Sequence, residues 1–185
     1  MLGGLYTKMV LWHTLGDVLE GSGWTAALSE TGVEPLGKAH SFLTAAHLTR
    51  TRHDHQITLL SLHNLQKDTF MLSELPKAFV SAMAWRNDMQ KKSPAYMYWV
   101  LVVKYETLIL IFIRANRGKN FPQYVEILEE LTLLFFALDH VNYAWWMPVH
   151  IRDMKSLPDS IKDEFENCSH WVLSKTTNKF SGNPI

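Results

Sequence analysis

The sequence predicts a mainly α-helical fold: an irregular bundle around one central apolar helix, with a short β-hairpin at the C-terminal end. Three observations carry that expectation. Apolar residues recur at three- and four-residue spacing through most of the chain. Residues 96–113 are apolar on almost every side, the pattern of a helix enclosed by others. Glycine, proline and serine stand at the ends of these stretches, where helices start and stop.

Leu5, Met9, Trp12, Leu15 and Leu19 make one apolar face, and Gly21-Ser22-Gly23 ends that helix because glycine readily takes the left-handed cap. A short helix follows from Trp24 to Glu30 and stops at Gly32, and Pro35 opens the next. Between Ala45 and Leu72 the stripe is Leu48, His55, Leu59, Leu62 and Leu65, with Arg50, Arg52, Asp54, Gln56 and Lys67 facing outward. Pro76 starts another helix, with Phe79, Val80 and Met83 inside. Ser93 is a good N-cap and Pro94 suits the first helical position; the helix runs to Arg117 and Gly118 closes it. Its all-round apolarity predicts the most buried element of the fold. Asn120-Phe121-Pro122 begins a helix that buries Tyr124, Val125, Ile127, Leu128, Leu131, Leu134, Phe135 and Leu138. An aromatic stretch with Tyr143, Trp145 and Trp146 leads to a helix junction broken at Pro148; a short helix through Met154 and another from Pro158 to Glu166 follow. From Trp171 the residues alternate, and a turn at Thr176-Thr177-Asn178 leads to Lys179-Phe180-Ser181, the predicted hairpin.

The chain has 185 residues, 47% of them apolar, enough for one domain, and no linker divides it. We read 1–185 as a single helical domain. Helix begins within the first few residues, and the final strand pair has no sheet to join, so a fragment of a longer chain is expected. Formal charge is zero, which gives no general attraction to nucleic acid or to a membrane surface but leaves local patches open. Cys168 is the only cysteine, so no internal disulfide and no thiolate zinc site can form; this favours an intracellular location. No basic segment precedes an apolar run at the N-terminus, so no signal peptide is expected. Lys104 and Glu106 sit within the most apolar stretch, where each would cost a few kcal/mol at a bilayer centre. A core helix is expected there, not a membrane span.

Two regions hold candidate chemistry. His40, His47, His53, His55 and His63 lie close in sequence, but His53 and His55 face different ways, and His55 and His63 stand about 12 Å apart on a helix. No metal and no cofactor is expected. The same region is mildly basic, and Arg50 and Arg52 are candidates for phosphate contact. The second region, Leu138 to Met154, packs Asp139, His140, His150 and Asp153 around large aromatics. These four are the catalytic candidates, with His150 and Asp153 one helical turn apart and able to touch. The competing reading is a helix junction whose polar groups bond each other. No phosphate-binding glycine loop, dinucleotide fingerprint or nucleophile elbow occurs.

Several segments together resemble a known group: Leu2-Gly3-Gly4-Leu5-Tyr6, Gly21-Ser22-Gly23-Trp24, His47-Leu48-Thr49-Arg50-Thr51-Arg52, Asp139 to Ala144, and Trp146 to Met154. They resemble uncharacterised animal proteins encoded by, or derived from, transposable elements, themselves similar to transposases with a ribonuclease-H-like catalytic fold. The resemblance spans nearly the whole chain and is most specific over Asp139 to Met154. Tyr6 stands where the group usually has His, and Trp145 where it usually has Arg. The group also continues into an acidic stretch that this sequence lacks. The resemblance implies a helical insertion whose catalytic carboxylates lie elsewhere. The expected function is therefore a non-catalytic helical segment of a transposase-like protein with DNA or subunit contacts, intracellular and, if it meets DNA, nuclear. The alternatives are a helical protein-interaction module without a nucleic-acid role, and a metal-dependent nuclease built on the four candidates.

Overall fold

The computed structural model describes residues 4–35, 38–73 and 81–168. The helices are α1 (Gly4–Leu19), α2 (Trp24–Glu30), α3 (Ala39–Leu43), α4 (Leu48–Leu72), α5 (Ala82–Lys92), α6 (Pro94–Gly118), α7 (Phe121–Ala137), α8 (Val141–Lys155) and α9 (Asp159–Cys168). The fold is mainly helical, with no strand among the described residues. The hairpin expected after Trp171 and the helix start expected at Pro76 lie outside those residues.

Local chemistry sets the ends of these helices. Ser81, Ser93 and Asn120 each accept a bond from a backbone N–H three residues on, at 3.1–3.2 Å, and so cap α5, α6 and α7. Gly21 and Gly23 take positive φ after α1, as their lack of a Cβ permits. After Gly118, Lys119 adopts the left-handed conformation, and its turn brings the Asn120 N–H to the Ala115 carbonyl at 2.9 Å.

α6 is the hub: α1, α4, α5 and α7 all pack on it. α7 in turn packs on α8 and α9, while α3 bridges α1, α2 and α4. The most buried element is nevertheless α7, not α6. Seven of the eight residues expected inside α7 are buried, and Leu138 just beyond it is half-buried. α6 is long and apolar enough to cross a membrane, yet only 33% of its apolar window is buried. The four packed helices do not close around it, so Leu108, Leu110 and Ile111 stay half-buried and Leu101 is exposed.

Two other faces differ from expectation. In α1, Leu11, Trp12, Leu15 and Leu19 are buried, but Leu5 and Met9 are exposed because the packing on α3 falls in the C-terminal half. There Gly16 lets the backbones meet: a Cβ at this position would sit 1.9 Å from the Leu43 carbonyl oxygen. In α5, Trp85 is the buried residue, while Met83 is exposed.

Candidate functional site

The buried face of α4 is polar. Thr51, Asp54, His55 and Thr58 are all buried, whereas Leu65 is exposed. Asp54 was expected on the outside. The His55 ring lies between two indoles, with centroids 4.3 Å from Trp12 and 4.8 Å from Trp24, both stacked. Its Nδ1 is 2.7 Å from Oε1 of Glu106, the acid in the middle of α6, and both side chains are fully enclosed. Burial pulls the imidazole pKa down and pushes the carboxyl pKa up. The pair is therefore held neutral, with the Glu106 carboxyl keeping its proton and donating it to His55 Nδ1. The Trp24 indole N–H donates to Thr58 Oγ1 at 2.8 Å, and the Thr58 hydroxyl donates to the Asp54 carbonyl. Burial also raises Asp54, to about 6. These groups tie α1, α2, α4 and α6 together. The signal in the sequence was the lone acid inside an apolar run, Glu106.

The four catalytic candidates go to separate places. Asp139 closes α7 in the left-handed conformation at φ 56° and is exposed. The next residue, His140, directs Nε2 to Asp17 of α1 at 3.0 Å, with His13 also 3.6 Å from that carboxylate. His150 is buried, its Nε2 3.1 Å from the Tyr124 hydroxyl, and burial lowers its pKa. Asp153 accepts from the neighbouring Arg152 at 2.8 Å instead of from His150. Pro148 does not break this helix: α8 runs through it. Asp139 and Asp153 are thereby set roughly 20 Å apart along the chain's rise of 1.5 Å per residue. Among the described residues, no group of three or more His, Cys, Asp or Glu is placed to hold a metal ion.

Arg50 and Arg52 also part company. Arg50 is exposed, on the side of α4 where its charge reaches Asp54. Arg52 turns to α6 and joins Arg114 and Arg117 at one end of a trough of about 520 Å³ between α4 and α6, floored by Leu59 and Leu110. Lys8 of α1 stands close by: burial lowers its pKa, and the charges of Arg117 and Arg52 lower it further. Among the described residues, none of these four cations makes an ion pair. The Arg52 Nε is sealed from solvent without an acceptor. Sequence spacing gave no hint of this grouping, since residues 8, 52, 114 and 117 meet only through tertiary packing.

These features define a helical protein with an enclosed polar core and an open basic trough on its surface. The chain belongs to the family described as domain of unknown function DUF8702, whose model matches residues 40–185. No curated protein and no solved structure matches it.

Proposed function

We propose that this chain is a non-catalytic helical segment of a mobile-element-derived, transposase-like protein that works through DNA or subunit contacts. One observation carries the reading. Of the four residues from the block with the most specific resemblance, His140 meets Asp17 of α1, His150 meets Tyr124 of α7, Asp153 accepts from its neighbour Arg152, and Asp139 is exposed. The two histidines brace the α7–α8 region, as in a scaffold, and the four share no reaction centre. Contact surfaces are then what the chain offers, and the acid-free trough is the one suited to DNA. The reading places the protein inside the cell, in the nucleus where it meets DNA, with no membrane role.

A second reading, a protein-interaction module without a nucleic-acid role, is favoured by a different observation. Phe136, Trp145 and Trp146 near the α7–α8 turn are 57%, 74% and 64% exposed. Large aromatics at that exposure are the anchors that interfaces use. The experiment that separates the readings is incubation of the purified chain with duplex DNA and with supercoiled plasmid plus magnesium or manganese. The first reading expects salt-sensitive retardation of the duplex and intact plasmid. Retardation absent at low salt would favour the interaction module. Nicking that disappears in Asp139→Asn would overturn both.

A further inference from the structure

The trough between α4 and α6 has an unusual charge balance for a chain with no net charge. Arg52, Arg114 and Arg117 crowd one end of it, and Lys8 adds a fourth cation behind them. Like charges this close repel, and a fold normally answers them with acids. Here no acidic side chain among the described residues lines the trough or its continuation past Leu60 and His63. The Arg52 Nε is likewise left without an acceptor, so no acid among the described residues neutralises this guanidinium. The guanidinium groups come from two helices: Arg52 of α4 is half-buried, while Arg114 and Arg117 of α6 are exposed and open to a ligand.

We infer that this trough binds the phosphodiester backbone of a nucleic-acid duplex, with Arg52, Arg114 and Arg117 as the contacting cations. The inference rests on the DNA-contact reading above and gives it a location. Arginine matches phosphate oxygens two at a time. An open trough suits a continuous polymer better than a small molecule, which would be left largely exposed. Among the described residues, no Phe, Tyr or Trp lines it or its continuation to offer the bases of a single strand a stacking platform. Arg50 is not part of the site, although sequence alone had paired it with Arg52.

The test is fluorescence anisotropy of a labelled DNA duplex titrated with the full chain at two salt concentrations. The variants are the triple Arg52→Gln, Arg114→Gln, Arg117→Gln, the single Gln56→Glu and the single Arg50→Gln. Gln56 is exposed on the trough wall, so Gln56→Glu adds a repelling charge without touching the core. Thermal melts establish that each variant is folded. The triple variant is expected to weaken binding at least ~10-fold at low salt and to reduce the log–log salt slope by about 2.7, from roughly 0.9 per phosphate contact. Gln56→Glu weakens binding several-fold, and Arg50→Gln leaves it within about twofold. Duplex binding that survives both trough changes would overturn this site while leaving the DNA-contact reading intact. Absence of duplex binding by the unmodified chain would remove both. Competition by poly-L-glutamate as effective as that of unlabelled duplex would assign the trough to an acidic protein partner instead.

Discussion

Replacing Glu106 with Gln isolates the proton held between α4 and α6. In the unfolded chain Glu106 titrates near 4.5. In the folded protein burial pushes it far above that, to about 9, so it keeps its proton at neutral pH. Between these values the folded state holds one proton more at Glu106 than the unfolded state. Stability contributed by this carboxyl is therefore highest below pH 4.5 and falls as pH rises, by about 1.4 kcal/mol per pH unit. Glutamine cannot ionise, but its amide N–H can still donate to His55 Nδ1 across the 2.7 Å contact. The difference in unfolding free energy, wild type minus Glu106→Gln, should thus decline by about 2.7 kcal/mol between pH 6.5 and 8.5. That figure is an upper limit for a fully enclosed carboxyl. Asp54, raised to about 6, titrates in both proteins and cancels in the difference. Urea denaturation at half-unit pH steps measures it. A difference that stays flat from pH 6 to 8.5 would refute the buried, protonated carboxyl and its bond to a neutral His55.

Three further outcomes follow from the packing. Leu128→Ala, in the fully buried stripe of α7, should cost about 2–5 kcal/mol in chemical denaturation, and Leu108→Ala on half-buried α6 clearly less; the reverse order would return α6 to the centre of the core. Gly16→Ala should lower stability by about 1–3 kcal/mol, because the new methyl must push α1 off the Leu43 carbonyl; an unchanged melting temperature would contradict that close approach. Tyr124→Phe removes the hydroxyl facing the buried His150 and should cost about 1–2 kcal/mol, and a neutral result would show that the 3.1 Å contact does not hold α7 to α8.

The parts of the fold that were legible in the sequence are those where one signal dominates. α7 combines a capping Asn120, a first-turn Pro122 and a clean apolar stripe, and it was readable almost residue by residue. The limits of α6 were equally plain from Ser93, Pro94 and Gly118, but its burial was not. Apolar composition says what a helix can bury, while how far the neighbouring helices cover its faces decides what it does bury. α4 was misread for the opposite reason. Its inner face is threonine, aspartate and histidine, and hydrophobic periodicity cannot see a polar face that packs inward through bonds such as Thr58 to Trp24 and His55 to Glu106. The four acids and histidines near the α7–α8 turn looked like a constellation because they are close in sequence. Helix geometry sends them to Asp17, Tyr124, Arg152 and solvent instead.

The imidazole held between Trp12 and Trp24 also gives the molecule an optical signature. Indoles locked face to face with another ring, in a chiral cage and without rotamer freedom, produce intense near-ultraviolet circular dichroism. Helix content reports separately, in the far ultraviolet. The clamp joins α1, α2 and α4 through side chains alone, so its signal tracks whether these helices are packed and not merely formed. A state that has kept its helices but lost this near-ultraviolet band has let the N-terminal layer come loose, the behaviour that separates a molten globule from a native protein.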